Sequence, residues 1–203
     1  MHKEILNKNQ LQLLPLIQNF KDEYYLAGGT AIALYLGHRE SIDYDLFTNK
    51  SINHDEIKRI IRNKHEIQSV LVENSNELTL VIDLVKITFL SYPFNINHSN
   101  IFDNHITVPS LDTLMAMKSY ALGRRAKWKD YVDVYFYLQN NNLEKLVETT
   151  KQIFDKEFNE KLFREQLAYF DDIDYTENVM YLLSNHPTDN EIKNYLQKIA
   201  LEK

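Results

Sequence analysis

Apolar positions follow two periods along this chain, and the change of period divides it. Leu11, Leu13, Leu14, Ile17 and Phe20 recur at helical spacing, which predicts an opening amphipathic helix. Residues 24–27 are aromatic and apolar and read as a short strand. The apolar run 30–36 predicts a compact helix that starts at Gly29-Thr30 and stops at Gly37. Residues 41–47 alternate as a second strand, and 55–64 predict a helix capped by Asn53. Strands are then expected over 67–72, 78–82 and 85–90, with turns at 74–76 and 83–84. Pro109-Ser110 opens a helical half, with Ser110 as the N-cap. Helices over 111–122 and 128–138 meet at 123–127, and more are expected near 143–153, 157–169, 173–184 and 189–201. The pattern predicts an α+β chain, with a mixed β-sheet and flanking helices over 1–109 and an α-helical half over 110–203.

Composition narrows the classes. A chain of 203 residues with 44% hydrophobic and 26% charged positions can bury a real core. No apolar run is long enough to span a membrane, and the N-terminus lacks the apolar core of a signal peptide. With no cysteine there is neither a disulfide nor a thiolate metal site, which fits a cytoplasmic protein. The net charge of −6 argues against wholesale coating of nucleic acid. A local basic stretch does exist: Lys118, Arg124, Arg125, Lys127 and Lys129 lie in one segment without an acid.

Glycine is scarce, with four in the chain, and three of them crowd into 28–37. Gly28-Gly29-Thr30 joins the first strand to the compact helix, whose N-terminus aims free N–H groups and a positive dipole end at its surroundings. Phosphate suits such a position, and Thr30 is placed either to cap the helix or to touch a phosphate. On the next strand Asp43 and Asp45 share a face, their side chains about 7 Å apart along the strand. Two such carboxylates repel unless a cation separates them, and Mg2+ favours carboxylate and phosphate oxygens. Alone, the glycine pair is a tight turn and Asp-Tyr-Asp a solvated edge; together they suggest an anion cradle beside a metal clamp.

The helical half adds two features. Lys118 falls inside the apolar arc of Leu111, Leu114, Met115, Ala121 and Leu122. It either snorkels to water or is neutralised in a pocket, by phosphate or by a carboxylate such as Asp43 or Asp45. On the following helix Lys129, Asp130 and Asp133 share a polar sector opposite Trp128, Tyr131 and Val132. Arg39 is placed to pair with Asp43 or to reach a nucleotide, and His38 sits at a helix end where its charge suits the dipole.

The string Gly28-Gly29-Thr30-Ala31, His38-Arg39-x-Ser41-x-Asp43-x-Asp45 resembles the AbiEii/AbiGii toxin family, a branch of the polymerase-β-like minimal nucleotidyltransferases. Lys118 followed by Arg125-x-x-x-Lys129-Asp130-x-x-Asp133 is similar to the second hallmark of that family, with Ala126 where glycine is common. Gly123 borders this second motif. The likeness covers roughly residues 20–140 and implies a nucleotidyltransferase fold whose helical half completes the active-site cleft. It implies a metal-dependent transferase that moves a nucleotide from an NTP to a hydroxyl acceptor.

By the same resemblance Asp43 and Asp45 hold Mg2+, with Mn2+ as the substitute. Gly28, Gly29, Thr30, Arg39, Ser41 and Arg125 bind nucleotide, and Lys118, Lys129, Asp130 and Asp133 complete the catalytic set. The acceptor would be RNA, at the 3′ end of tRNA, and the setting a toxin with a cognate antitoxin or a phage-defence system. One departure stands out. The third carboxylate common in polymerase-β-type sites is missing, because Asp83 falls in a turn and the inward position on the later strand is Thr88. Asp130 or Asp133 would then supply it, or the chain would be an inactive NTP-binding or partner-binding module. Transfer to a small molecule such as an aminoglycoside, or to a protein side chain, is the other alternative.

Overall fold

The computed structural model describes residues 1–122 and 124–202; Gly123, the glycine beside the second motif, lies outside them. The helices are α1 (Lys8–Ile17), α2 (Gly28–Leu36), α3 (His54–Arg62), α4 (Leu111–Leu122), α5 (Trp128–Leu138), α6 (Leu143–Phe154), α7 (Glu160–Ala168) and α8 (Asp189–Leu201). The strands are β1 (Tyr25–Ala27), β2 (Asp43–Thr48), β3 (Ser69–Asn74), β4 (Glu77–Ile82), β5 (Val85–Ser91), β6 (Asn100–Phe102) and β7 (Ile106–Val108). They form a mixed seven-stranded sheet in the order β3-β4-β5-β2-β1-β7-β6. β2 runs antiparallel to β1 and parallel to β5, and β1 runs parallel to β7.

Alternation along the central strands gives the sheet two unlike faces. Tyr44 and Leu46 of β2 and Ile87 and Phe89 of β5 are buried. On this face the Tyr44 hydroxyl donates to the Gln10 carbonyl (3.0 Å) and Phe20 packs edge-on against Phe89, so the opening helix covers it. The intervening positions, Asp43, Asp45 and Phe47 on β2 and Lys86, Thr88 and Leu90 on β5, are half-buried and share the opposite face. There α2 packs against α4 and α5, and one apolar core continues from the sheet into the helical half.

Local signals account for most boundaries. Asn53 accepts from the Glu56 N–H and Ser110 from the Thr113 N–H, as expected of N-caps. Gly37 adopts φ 62° and its N–H closes α2 on the Ala33 carbonyl (2.8 Å). Asp83 and Leu84 both take positive φ, the two-residue turn that joins twisted strands.

Two departures matter. The hairpin β6–β7 was not visible as periodicity, since each strand has three residues; its turn at Asp103-Asn104 again carries positive φ. The helix expected over 173–184 does not form. Asp174 exchanges backbone hydrogen bonds with Ala126 (2.7 Å) and Trp128 (3.1 Å), and Met180 and Leu182 bond to Glu40 (2.9 Å) and His38 (3.1 Å). Backbone groups committed to two other loops cannot serve an i→i−4 ladder. The segment instead crosses between the loop before α5 and the loop after α2.

Candidate active site

The site is built where β1 turns into α2. Gly28 has φ 68°, and a Cβ there would lie 1.9 Å from Asp45 Oδ2. Only glycine therefore lets the Asp45 carboxylate rest against the first turn of α2. A Cβ on Gly29 would lie 2.8 Å from Arg39 Nη2, so the second glycine makes room for a guanidinium. Ala27, the N-cap, offers no side-chain acceptor to the first turn. Thr30 does not cap the helix, whose N-cap is Ala27. Its buried hydroxyl donates to the Asp43 carbonyl oxygen and lies 2.8 Å from Ser41 Oγ. Thr30 and Ser41 thus brace the start of β2, which aims its two carboxylates.

Asp43 and Asp45 do share a face, and strand register gives each a neighbour. Asp43 is level with Lys86, whose ammonium sits 2.7 Å from its carboxylate. Asp45 is level with Thr88 on β5 and with Ala27 on β1. Burial, and then the negative charge of Asp43, push Asp45 up to about 6. A carboxylate pair in that state is short of positive charge. Its hard oxygen donors fit Mg2+, which is commonly held by one or two carboxylates together with substrate phosphate and water. Among the described residues no group of three His, Cys, Asp or Glu gathers as a metal cage.

Of the second motif, Lys118, Arg125, Lys129 and Asp130 line the same cleft as the carboxylate pair, whereas Asp133 is packed in the interior. Asp133 is fully buried and accepts from Arg39 Nε (2.7 Å), Arg39 Nη2 (2.9 Å) and Lys118 Nζ (2.9 Å), with His38 Nε2 at 2.7 Å. Burial pushes its carboxyl upward, yet the Arg39 and Lys118 cations outweigh this and hold it well below the usual range. Asp130 is paired with Lys118 (2.5 Å) and Arg125 (2.9 Å). Both aspartates are paired with cations, and of the two only Asp130 borders the cleft. Arg39 pairs with Asp133, not with Asp43, and its Nη1 donates to the Glu40 carbonyl (2.9 Å), while the residue also lines the cleft. Lys118 is buried, which excludes snorkelling, and its partners are Asp130 and Asp133 rather than Asp43 or Asp45. This cluster pins the loop after α2, α4 and α5 together beneath the cleft. His38 belongs to it, not to a helix dipole.

What faces the carboxylate pair is a ring of cations. Lys86, Arg125, Lys127 and Lys129 line the same cleft, with Glu177 from the crossing segment among them. Glu177 bridges Lys127 (2.5 Å) and Lys129 (3.1 Å), and the hydrogen bond from Lys127 is the largest cause that holds its carboxyl down at about 2. Lys86 and Glu177 were missed as site residues. Strand alternation through Val85-Lys86-Ile87-Thr88 carried the signal for Lys86; nothing local pointed to Glu177.

Comparison with known proteins agrees with this geometry. A family model described as nucleotidyl transferase AbiEii toxin, type IV TA system, matches residues 16–200. The chain is 29% identical over 160 residues to an uncharacterized protein, aq_aa25, of Aquifex aeolicus, spanning 74% of this chain and 75% of that one. Its fold is similar to that of MenT4, a nucleotidyltransferase toxin from Mycobacterium tuberculosis, with a TM-score of 0.60 at 14% identity, over 95% of this chain and 82% of that one. A putative nucleotidyltransferase from H. pylori superposes with a TM-score of 0.54 at 19% identity, over 95% of this chain and 92% of that one. The chain belongs to the AbiEii nucleotidyl transferase toxin family, and its seven-stranded sheet with flanking helices is the nucleotidyltransferase fold.

Proposed function

We propose, from membership of the AbiEii family, that this chain moves a nucleotidyl group from an NTP to a hydroxyl of RNA in a Mg2+-dependent reaction. The observation that carries the reading is the seat that Gly28 leaves for Asp45, beside Asp43 and opposite the cations of the cleft. A divalent cation held by Asp43 and Asp45 would supply charge neutralisation at the α-phosphate and acidify the attacking hydroxyl. Lys86, Arg125, Lys127 and Lys129 would take the negative charge that builds on the departing pyrophosphate. The acceptor oxygen forms its bond to the α-phosphorus as the bond to the β-phosphate oxygen breaks. The hydroxyl proton goes to water, because Thr88 carries no base. Positioning and charge do the rest, as in other phosphoryl-group chemistry.

Arg124, Arg125, Lys127 and Lys129 follow one another at the loop into α5, and a phosphate backbone would draw on such a stretch. That favours RNA, and the 3′ end of tRNA is an acceptor with an exposed hydroxyl. The type IV toxin–antitoxin description of the family supports a cognate antitoxin, and a reaction on an NTP and RNA would run in the cytoplasm. No described helix is long and apolar enough to cross a membrane.

A second reading has its own observation: Thr88 stands where a third carboxylate would. An inactive NTP-binding module would bind NTP with Mg2+ and release no pyrophosphate. Incubating the chain with total RNA, Mg2+ and each of the four labelled NTPs decides the matter. Label entering RNA from at least one NTP is the expected result. Pyrophosphate release without labelled RNA would shift the acceptor to a small molecule or protein, and no release at all would support the inactive module.

A further inference from the structure

A second cavity, about 310 Å3 in volume, adjoins the carboxylate cleft. The two share Lys118 and Arg125, and Gly28 lines one while Gly29 lines the other. Its lining is of a different kind. Phe47 and Tyr92 come from the sheet side, Tyr120 from α4 and Arg124 from two residues past its end, and no described lining residue is acidic. We propose that this cavity receives the nucleobase of the donor NTP, and that Tyr92 and Arg124 are its stacking surfaces. The proposal rests on the reading that the cleft holds the phosphates.

Three observations favour a flat, π-faced ligand. Phe47 and Tyr92 are tilted neighbours with ring centroids 5.2 Å apart, so they present aromatic surface beside the carboxylate-bearing strand. The Arg124 guanidinium lies 3.6 Å from the centre of the Tyr120 ring, which is itself stacked on Phe154 at 4.2 Å. Arg124 also donates to the carbonyls of Tyr120 (2.9 Å) and Glu157 (3.3 Å), so its plane is fixed before any ligand arrives. A guanidinium plane held in this way is a platform on which a base stacks. The volume lies at the small end of ligand cavities, roughly 300–1,000 Å3, which suits one base and not a folded strand. Continuity with the cleft through Lys118 and Arg125 would let one NTP place its base in this cavity and its phosphates in the cleft.

Equilibrium binding to the full chain with Mg2+ tests this, with NTPs, the four free ribonucleosides and inorganic triphosphate as probes. Tyr92→Ala and Arg124→Ala should each weaken NTP and ribonucleoside binding by roughly tenfold or more, as loss of a stacking surface does. Inorganic triphosphate binding should be unchanged, and Tyr92→Phe should bind like the parent. Equal losses for NTP and triphosphate, or no loss for either, would overturn the base cavity while leaving the phosphate cleft standing. A parent chain that binds ribonucleosides but not triphosphate would instead support the base cavity and sink the phosphate reading.

Discussion

Arg39 and Asp133 are 94 residues apart in sequence and meet in the interior as a two-bond fork, Nε to Oδ1 at 2.7 Å and Nη2 to Oδ2 at 2.9 Å. Lys118 and His38 converge on the same carboxylate, so one buried negative charge answers several donors. Removing one partner of a buried ion pair leaves the other uncompensated and costs about 3–5 kcal/mol. Asp133→Ala should lose that much in urea denaturation. Lys118→Met should lose less, because Asp130 keeps Arg125 and Asp133 keeps Arg39. A loss below about 1 kcal/mol in Asp133→Ala would mean the cluster does not hold the fold.

Gly28, Gly29 and Gly37 should respond differently to alanine. At Gly28 the new Cβ meets the Asp45 carboxylate and the backbone has φ 68°, so nucleotidyl transfer should be lost. Gly37→Ala, at φ 62° and against the His2 ring, should cost about 1–2 kcal/mol of stability and leave transfer intact. Gly29→Ala, which presses on the Arg39 guanidinium, should fall between them. Melting and transfer assays on the three variants separate the effects; equal activity in Gly28→Ala and the parent would contradict the seat.

Glu177 neutralises Lys127 and Lys129, two cations of the cleft. The Glu177→Gln variant should bind inorganic triphosphate about two- to fivefold more tightly, the scale of one partly exposed ion pair. Weaker binding in the variant would show that Glu177 helps hold the ligand.

His38 sets a pH window. Its Nε2 faces Asp133 and its buried Nδ1 has no partner, an arrangement that suits the neutral ring. Burial lowers its pKa despite the pull of Asp133. The unfolded chain therefore binds the extra proton more readily, and stability should fall as pH drops below about 6.5, the ordinary histidine value. His38→Gln should flatten that part of the profile. Asp133 acts lower down: its depressed pKa contributes stability that is full above about 4 and is lost as pH falls further. An unchanged slope between pH 6.5 and 5 in His38→Gln would contradict the assignment.

Much of the frame was legible because its signals are local. The cap at Asn53, the αL stop at Gly37 and the paired positive φ at Asp83-Leu84 each follow from two or three adjacent residues. So does the common face of Asp43 and Asp45, which needs nothing beyond strand alternation. Partners are another matter. Spacing placed Lys118 on an apolar arc, yet nothing within a helical turn says that Asp130 and Asp133 answer its charge. Arg39 was offered Asp43, four residues away, and chose a carboxylate on α5. The crossing segment shows the same limit: residues 173–184 carry helix-compatible spacing, but backbone bonding to the loops at 38–40 and 126–128 decides their conformation.

If Asp43 and Asp45 form the reaction centre, transfer of label from an α-labelled NTP to total RNA depends on both carboxylates. The Asp43→Asn, Asp45→Asn double variant keeps the shape of the site and removes both charges. With Mg2+ present it should show no transfer above a heat-killed control, while melting within a few degrees of the parent. Labelling of RNA by the double variant at the parental rate would place the reaction centre elsewhere.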